Sequence, residues 1–209
     1  MKVTKFVHSC LLIEDSGKKV LIDPGMYSIN GLKTSLRDIS SLDYLLITHE
    51  HFDHMDVSLV KEIIDALKPQ KVISTQSVHD ILGKESIDVE TRSDEYIQIE
   101  AVQHESMIPL GEPPQNVLFH IANILTHPGD SHTFRQTKDI LALPIQAPWG
   151  SMVTAIRLAL DLKPKKIIPI HDWHWRTEAR TQQYDRLEEF FQKHNIQFIK
   201  PLESSPFIL

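Results

Sequence analysis

Residues 48–54 read Thr48-His49-Glu50-His51-Phe52-Asp53-His54. Three imidazoles and the carboxylate of Asp53 fall within six positions. Such side chains suit zinc, manganese or iron. His49 and His51, two apart, can project onto one cation, and Asp53 and His54, beyond a bend, can reach a second. Burying so many polar rings without partners would cost roughly 1–3 kcal/mol each. The segment therefore belongs in a loop that aims them at one point. Further residues of the same chemistry stand alone: Asp23 in Leu21-Ile22-Asp23-Pro24-Gly25, His104 after Val102-Gln103, Asp130 in Pro128-Gly129-Asp130-Ser131, and His171 after Ile168-Pro169-Ile170. The chain carries 12 His beside 22 Lys+Arg, an unusual proportion. Histidine is the commonest metal ligand and a frequent acid or base.

The surrounding pattern supplies elements that could hold these groups. Apolar segments at 3–7, 10–14 and 19–22 predict an antiparallel opening, with a hairpin signal at Asp15-Ser16-Gly17. Residues 43–47 predict a buried strand leading into the histidine-rich segment. Residues 56–67 predict an amphipathic helix leaving it, with Leu59, Val60, Ile63 and Leu67 at helical spacing. A strand at 72–73 and a short helix at 76–82 follow. Two or three strands are expected within 86–104, then strands at 117–121 and 140–143. A helix at 151–162, a strand at 166–170, a helix at 177–194 and a strand at 196–199 complete the series. This order fits an α/β domain.

At 209 residues the chain suits one domain, taken as 1–209. A formal charge of −6 gives no general nucleic-acid footprint, and Lys163, Lys165 and Lys166 read as a solvated turn. No apolar run approaches membrane-spanning length. The start of the chain lacks the apolar core of an export signal. With the single Cys10, these features point to a cytoplasmic protein, and Cys10 reads as a small core residue.

Taken in order, the five motifs around Asp23, residues 48–54, His104, Asp130 and His171 resemble those of the metallo-β-lactamase fold superfamily, whose signature is His-x-His-x-Asp-His. The match runs from residue 3 to about 175. The resemblance implies a binuclear centre of two divalent metal ions, with His49, His51 and His104 on the first. Asp53, His54 and His171 would hold the second, with Asp130 bridging both. Asp23 would accept a hydrogen bond that fixes a ligand histidine. His51 stands where diiron flavoproteins of the superfamily have glutamate, which favours Zn2+, with Mn2+ or Fe as the other choices.

A hydroxide bridging two such metals is a nucleophile at neutral pH. Asp53 and Asp130 would then be catalytic as well as ligating. Substrate-pocket candidates are His8, His132, Trp149 and His174. His8-Ser9 resembles a step of the lactonase-like and phosphodiesterase-like branch. His127 and His132 flank Asp130 and are placed either near the site or on the loop surface. His79 and His194 are expected to be solvated, and His120 structural.

The expected fold is an α/β four-layer αββα sandwich of the metallo-β-lactamase type. The expected function is a metal-dependent hydrolase of an ester-type bond in a small molecule, either a phosphate ester or a lactone. The chain is similar to ascorbate-6-phosphate lactonase-like proteins within the compact branch. The alternatives are a nuclease or cyclic-nucleotide phosphodiesterase, and a non-catalytic metal-binding regulatory domain. The oligomeric state is left open to a homo-oligomer.

Overall fold

The computed structural model of the chain describes residues 1–109 and 111–209. The first half runs β1 (Lys2–Lys5), β2 (Leu11–Asp15), β3 (Lys18–Ile22), α1 (Ile29–Ser35), β4 (Tyr44–Leu46), α2 (Val57–Leu67), β5 (Lys71–Ile73) and α3 (Gln76–Gly83). The second runs β6 (Ile97–Gln103), β7 (Gln115–Ile121), β8 (Leu125–His127), β9 (Ile140–Pro144), α4 (Met152–Leu162), β10 (Lys166–Ile170), α5 (Thr177–Gln192) and β11 (Gln197–Phe198). The last strand, β12 (Pro206–Ile208), returns to the first sheet beside β1.

Two six-stranded mixed sheets result, ordered β12-β1-β2-β3-β4-β5 and β11-β10-β9-β8-β7-β6. Strand side chains alternate between the faces. Leu11, Ile13, Val20 and Ile22 therefore point to the second sheet, where they meet Phe119, Ile121, Ile168 and Ile170. Leu12 and Leu21 point the other way, onto Leu59, Val60 and Ile63 of α2. On the far side Leu141, Leu143 and Ile167 pack against Ala155 and Ala159 of α4 and Leu187 and Phe191 of α5. The three apolar clusters are the seams of a four-layer αββα sandwich. Among the described residues, no helix is long and apolar enough to cross a membrane.

The strand entering the histidine-rich segment and the helix leaving it lie where the pattern predicts. Four details differ. Residues 86–104 hold one strand, β6, and before it only a single bridge between Ile73 and Glu90. The helix α1 and the strands β8 and β12 have no counterpart among the sequence expectations. Each is short and takes its order from packing: Leu32 of α1 is buried under α2, and β8 lies between β7 and β9.

Candidate metal centre

The loop after β4 is fixed at both ends. At its start Ile47 N donates to Ile73 O, and Ser74 Oγ donates to Ile47 O. At its end Asp56 caps α2 by accepting from Leu59 N at 2.8 Å. Between them the amides of His54 and Met55 both donate to His51 O, turning the chain sharply. Asp23, at the end of β3, anchors the turn from below. Its Oδ1 accepts from Thr48 N at 2.8 Å, and its Oδ2 lies 2.9 Å from Thr48 Oγ1 and 2.7 Å from His54 Nδ1. That contact leaves His54 Nε2 facing the centre. Gly25 lets the β3 loop lie directly on this one, because a Cβ there would stand 1.8 Å from Asp53 O.

The second sheet contributes from three strand ends. His104 follows β6, and its Nδ1 lies 2.7 Å from Glu105 O, freeing Nε2 for the site. Asp130 follows β8 on a turn where Gly129 has φ +56 and no room for a Cβ against Asn116 and Thr48. Asn116 braces that turn by donating to Pro128 O and accepting from Asp130 N. His171 follows β10. His8, Asp23 and His171 all adopt positive φ, at 63°, 50° and 62°. That conformation is costly for residues other than glycine, and such residues cluster at functional sites.

The seven residues with ligand roles in the sequence reading come together. Two groups form, His49–His51–His104–Asp130 and His8–Asp53–His54–His171, the ligand atoms of each lying within 4.8 Å of one another. His49 Nε2 is 3.0 Å from His51 Nδ1, and His54 Nε2 is 3.0 Å from His171 Nε2. Ligands at Zn–N distances of about 2.0–2.1 Å on a tetrahedron are about 3.3 Å apart, so these pairs are spaced as neighbours around one cation. Asp130 stands between the groups. Its Oδ1 is 3.0 Å from His54 Nε2, and its Oδ2 is 3.4 Å from His104 Nε2 and 3.8 Å from His49 Nε2. His104 Nε2 and Asp130 Oδ1 are buried with no properly directed hydrogen-bond partner. Buried orphans of that kind, converging on one point, fit metal ligands.

The electrostatics agree. Burial pushes His49 well below the usual imidazole range, and neighbouring His54 adds to the effect. Burial works the same way on His54, but Asp130 and Asp23 outweigh it and raise that ring well above its ordinary value. Burial would raise the Asp130 carboxyl, yet His171 and His54 hold it well below the carboxylate range. Burial would also raise Asp53, but the His8 hydrogen bond and the charges of His54 and His8 together hold it well below the carboxylate range. Two carboxylates kept ionised among buried imidazoles form a site built for positive charge.

A cavity of about 340 Å³ opens over both groups. Trp149 and His174 line it; His8 and His132 are not among its lining residues. His8 is buried beneath it with Nε2 3.1 Å from Asp53 Oδ2, and burial followed by the charge of His171 pushes it down to about 3. His132 Nε2 turns away to Pro144 O at 2.8 Å. His127 is buried in β8, with Nε2 3.0 Å from Ser9 O. His120 is buried against Thr126 Oγ1, His79 is half-buried with Nδ1 at Val89 O, and His194 is exposed. The sequence reading left Tyr27, Phe52 and the 106–109 segment unassigned, though all line the cavity. Their signal was position: Tyr27 lies two residues past Gly25, and Phe52 sits inside the histidine motif.

Residues 2–171 match the family model described as the Beta-lactamase superfamily domain. The chain is 29% identical over 201 residues to Protein Rv0786c of Mycobacterium tuberculosis, covering 90% of this chain and 92% of that one. It is 28% identical over 237 residues to a UPF0173 metal-dependent hydrolase of Staphylococcus aureus, covering 99% and 100%. Among solved structures it superposes on Igni18, a metallo hydrolase of Ignicoccus hospitalis, with a TM-score of 0.71 and 18% identity over 100% of this chain and 98% of that one. The isothiocyanate hydrolase from Delia radicum gut bacteria gives a TM-score of 0.66 and 18% identity, covering 100% and 99%. At those identities the structures establish a shared fold.

Proposed function

This chain belongs to the beta-lactamase superfamily domain family, and from that premise we propose that it is a binuclear metal-dependent hydrolase of an ester-type bond, a lactone or a phosphate ester. The observation that carries this reading is the convergence of His and Asp side chains from both sheets into two adjoining groups of ligand atoms. Zinc is the proposed metal, on the strength of the imidazole-rich donor set. Residues 1–209 are taken as one domain, which the pairing of β12 with β1 supports. A cytoplasmic setting belongs to the same proposal; the lone cysteine, Cys10, is buried and free.

When bound, two divalent ions would supply a hydroxide nucleophile at neutral pH and polarise the substrate oxygen. The protein's own groups do the positioning. Asp130 reaches both ligand groups, and Trp149 Nε1 donates to its Oδ2 at 2.9 Å, holding the carboxylate in one orientation. His8 holds Asp53 Oδ2 in the same way. Tyr27, Phe52 and Trp149 wall the cavity with aromatic rings. His174 lines it outside both ligand groups and is the residue from which a leaving oxygen would take its proton.

The test is elemental analysis and turnover of the zinc-loaded protein. Close to two ions per chain, together with hydrolysis of a lactone or phosphate ester, support the reading. Absence of bound metal after zinc or manganese loading refutes it.

A further inference from the structure

We propose that the cavity over the metal centre selects uncharged carboxylic esters or lactones bearing an apolar group, and discriminates against phosphorylated substrates. This rests on the hydrolase reading and names its substrate class.

The walls carry the inference. Tyr27 and Trp173 stack with ring centroids 3.8 Å apart and planes 9° from parallel, and Phe52 meets Tyr27 edge-on at 5.9 Å. This aromatic patch lies beside the His8 group, since the Tyr27 ring is 5.3 Å from that of His8. Trp149 stands on the Asp130 side, 5.2 Å from the His171 ring. Ile108 and Phe52 line the mouth and are 88% and 58% exposed, and Trp173, 45% exposed, backs the Tyr27 wall from outside the lining. Large apolar side chains gathered at the rim of a polar centre mark a binding surface.

Charge points the same way. Among the described residues lining the cavity none is Lys or Arg, and its carboxylates are Asp53 and Asp130, beside the imidazoles of His51, His171 and His174. Lys5, behind His171, is buried and holds both oxygens of Asp172 at 2.8 and 3.0 Å. A phosphoryl group would therefore meet the metals and no side-chain cation to take up its remaining charge, while its substituent lay against aromatic rings. Two divalent ions attract any anion, so the metals do not discriminate; the walls do. Removing an anion from water without a partner is costly, whereas each methylene covered by the walls adds about 0.8 kcal/mol, or about fourfold in binding.

The experiment measures kcat/KM of the zinc-loaded protein on para-nitrophenyl esters from acetate to octanoate and on para-nitrophenyl phosphate and bis-para-nitrophenyl phosphate. In parallel, quenching of tryptophan fluorescence measures binding of uncleavable methyl ketones of matching chain length. The expected result is a rise of about fourfold per methylene until the cavity is full. Both phosphates should fall at least a hundredfold below the hexanoate ester. Phe52→Ala, at an exposed lining position, should flatten the series and weaken the longer ketones, and Trp173→Ala, which removes only the stack behind Tyr27, should do so less.

A flat ester series, or phosphate turnover matching the esters, overturns the inference and leaves the hydrolase reading standing. Chain-length-dependent ketone binding without hydrolysis of any of these esters, or of alkyl γ-lactones assayed beside them, sinks the hydrolase reading and supports the selectivity of the walls. Ketone binding that ignores chain length overturns the inference whatever the protein hydrolyses.

Discussion

The two sheets supply the candidate metal centre in opposite ways. The first delivers His49, His51, Asp53 and His54 from one loop, braced by Asp23 from the neighbouring strand end. The second delivers His104, Asp130 and His171 from three separate strand ends, 26 to 41 residues apart in the chain. One half is organised by a local turn and one carboxylate. The other is organised only when β6, β8 and β10 are all in register. Damage to the first half should therefore be confined to the loop, whereas the second half should register changes at distant packing contacts.

The sharpest way to break this contrast is at Asp130, the residue that stands between the two groups. Asp130→Ala should lose at least one of the two metals and lower kcat/KM by about a thousandfold or more. Elemental analysis beside kinetics checks it, and full occupancy would refute the bridging role.

The next effect is remote. Lys5 on β1 and Asp172 beside His171 form a buried ion pair joining the two sheets, and the Tyr184 hydroxyl also donates to Asp172. Lys5→Met leaves the carboxylate with only the Tyr184 hydroxyl and the Arg180 guanidinium 3.8 Å away, and should cost about 3 kcal/mol. Chemical denaturation measures this, and at the metal centre the loss should fall on the His171 group before the His49 group.

A local lesion should be smaller. Gly25→Ala forces a Cβ into the Asp53 carbonyl, with an expected cost of about 1–3 kcal/mol and lower metal affinity for the Asp53 group. A thermal melt with and without zinc separates the two effects.

The smallest effect lies far from the centre, at Asp94. Burial would raise this carboxyl, but the amides of Ile97 and Tyr96, with Lys71 and Tyr44, pull it down from 3.8 to about 2. A lowered carboxylate stabilises the fold above its ordinary value and loses that contribution as pH falls through the lowered one. The stability advantage over Asp94→Asn should therefore shrink between about pH 4 and pH 2, as followed by urea denaturation; a constant difference would contradict it.

The same contrast explains what could be read from the chain alone. The loop at residues 48–54 was legible from its residue types, because all its donors lie within one turn. His104, Asp130 and His171 look like isolated residues until a sheet gathers them; only resemblance to a family picked them out. The cavity walls were harder still. Phe52 reads as a spacer in the motif, and Tyr27 follows a Pro-Gly turn with no periodicity to flag it. The short elements were lost for a related reason: three-residue strands such as β8 and β12 carry no alternation to detect and exist through the partner that hydrogen-bonds them. His8 looked like a wall residue because the sequence gives its neighbour in the chain, Ser9, and not its neighbour in space, Asp53.

The left-handed backbone at His8, Asp23 and His171 has a consequence for anyone wishing to toughen this protein. Each conformation costs about 1–2 kcal/mol for an L-residue. Ranked by backbone comfort alone, glycine at these three positions would be among the first improvements suggested. Each exchange would delete an imidazole or carboxylate that the centre uses. Heat resistance and the proposed turnover are thus set against each other at the same three residues, and a more robust version of this fold is better sought in its outer helices than at the floor of its cavity.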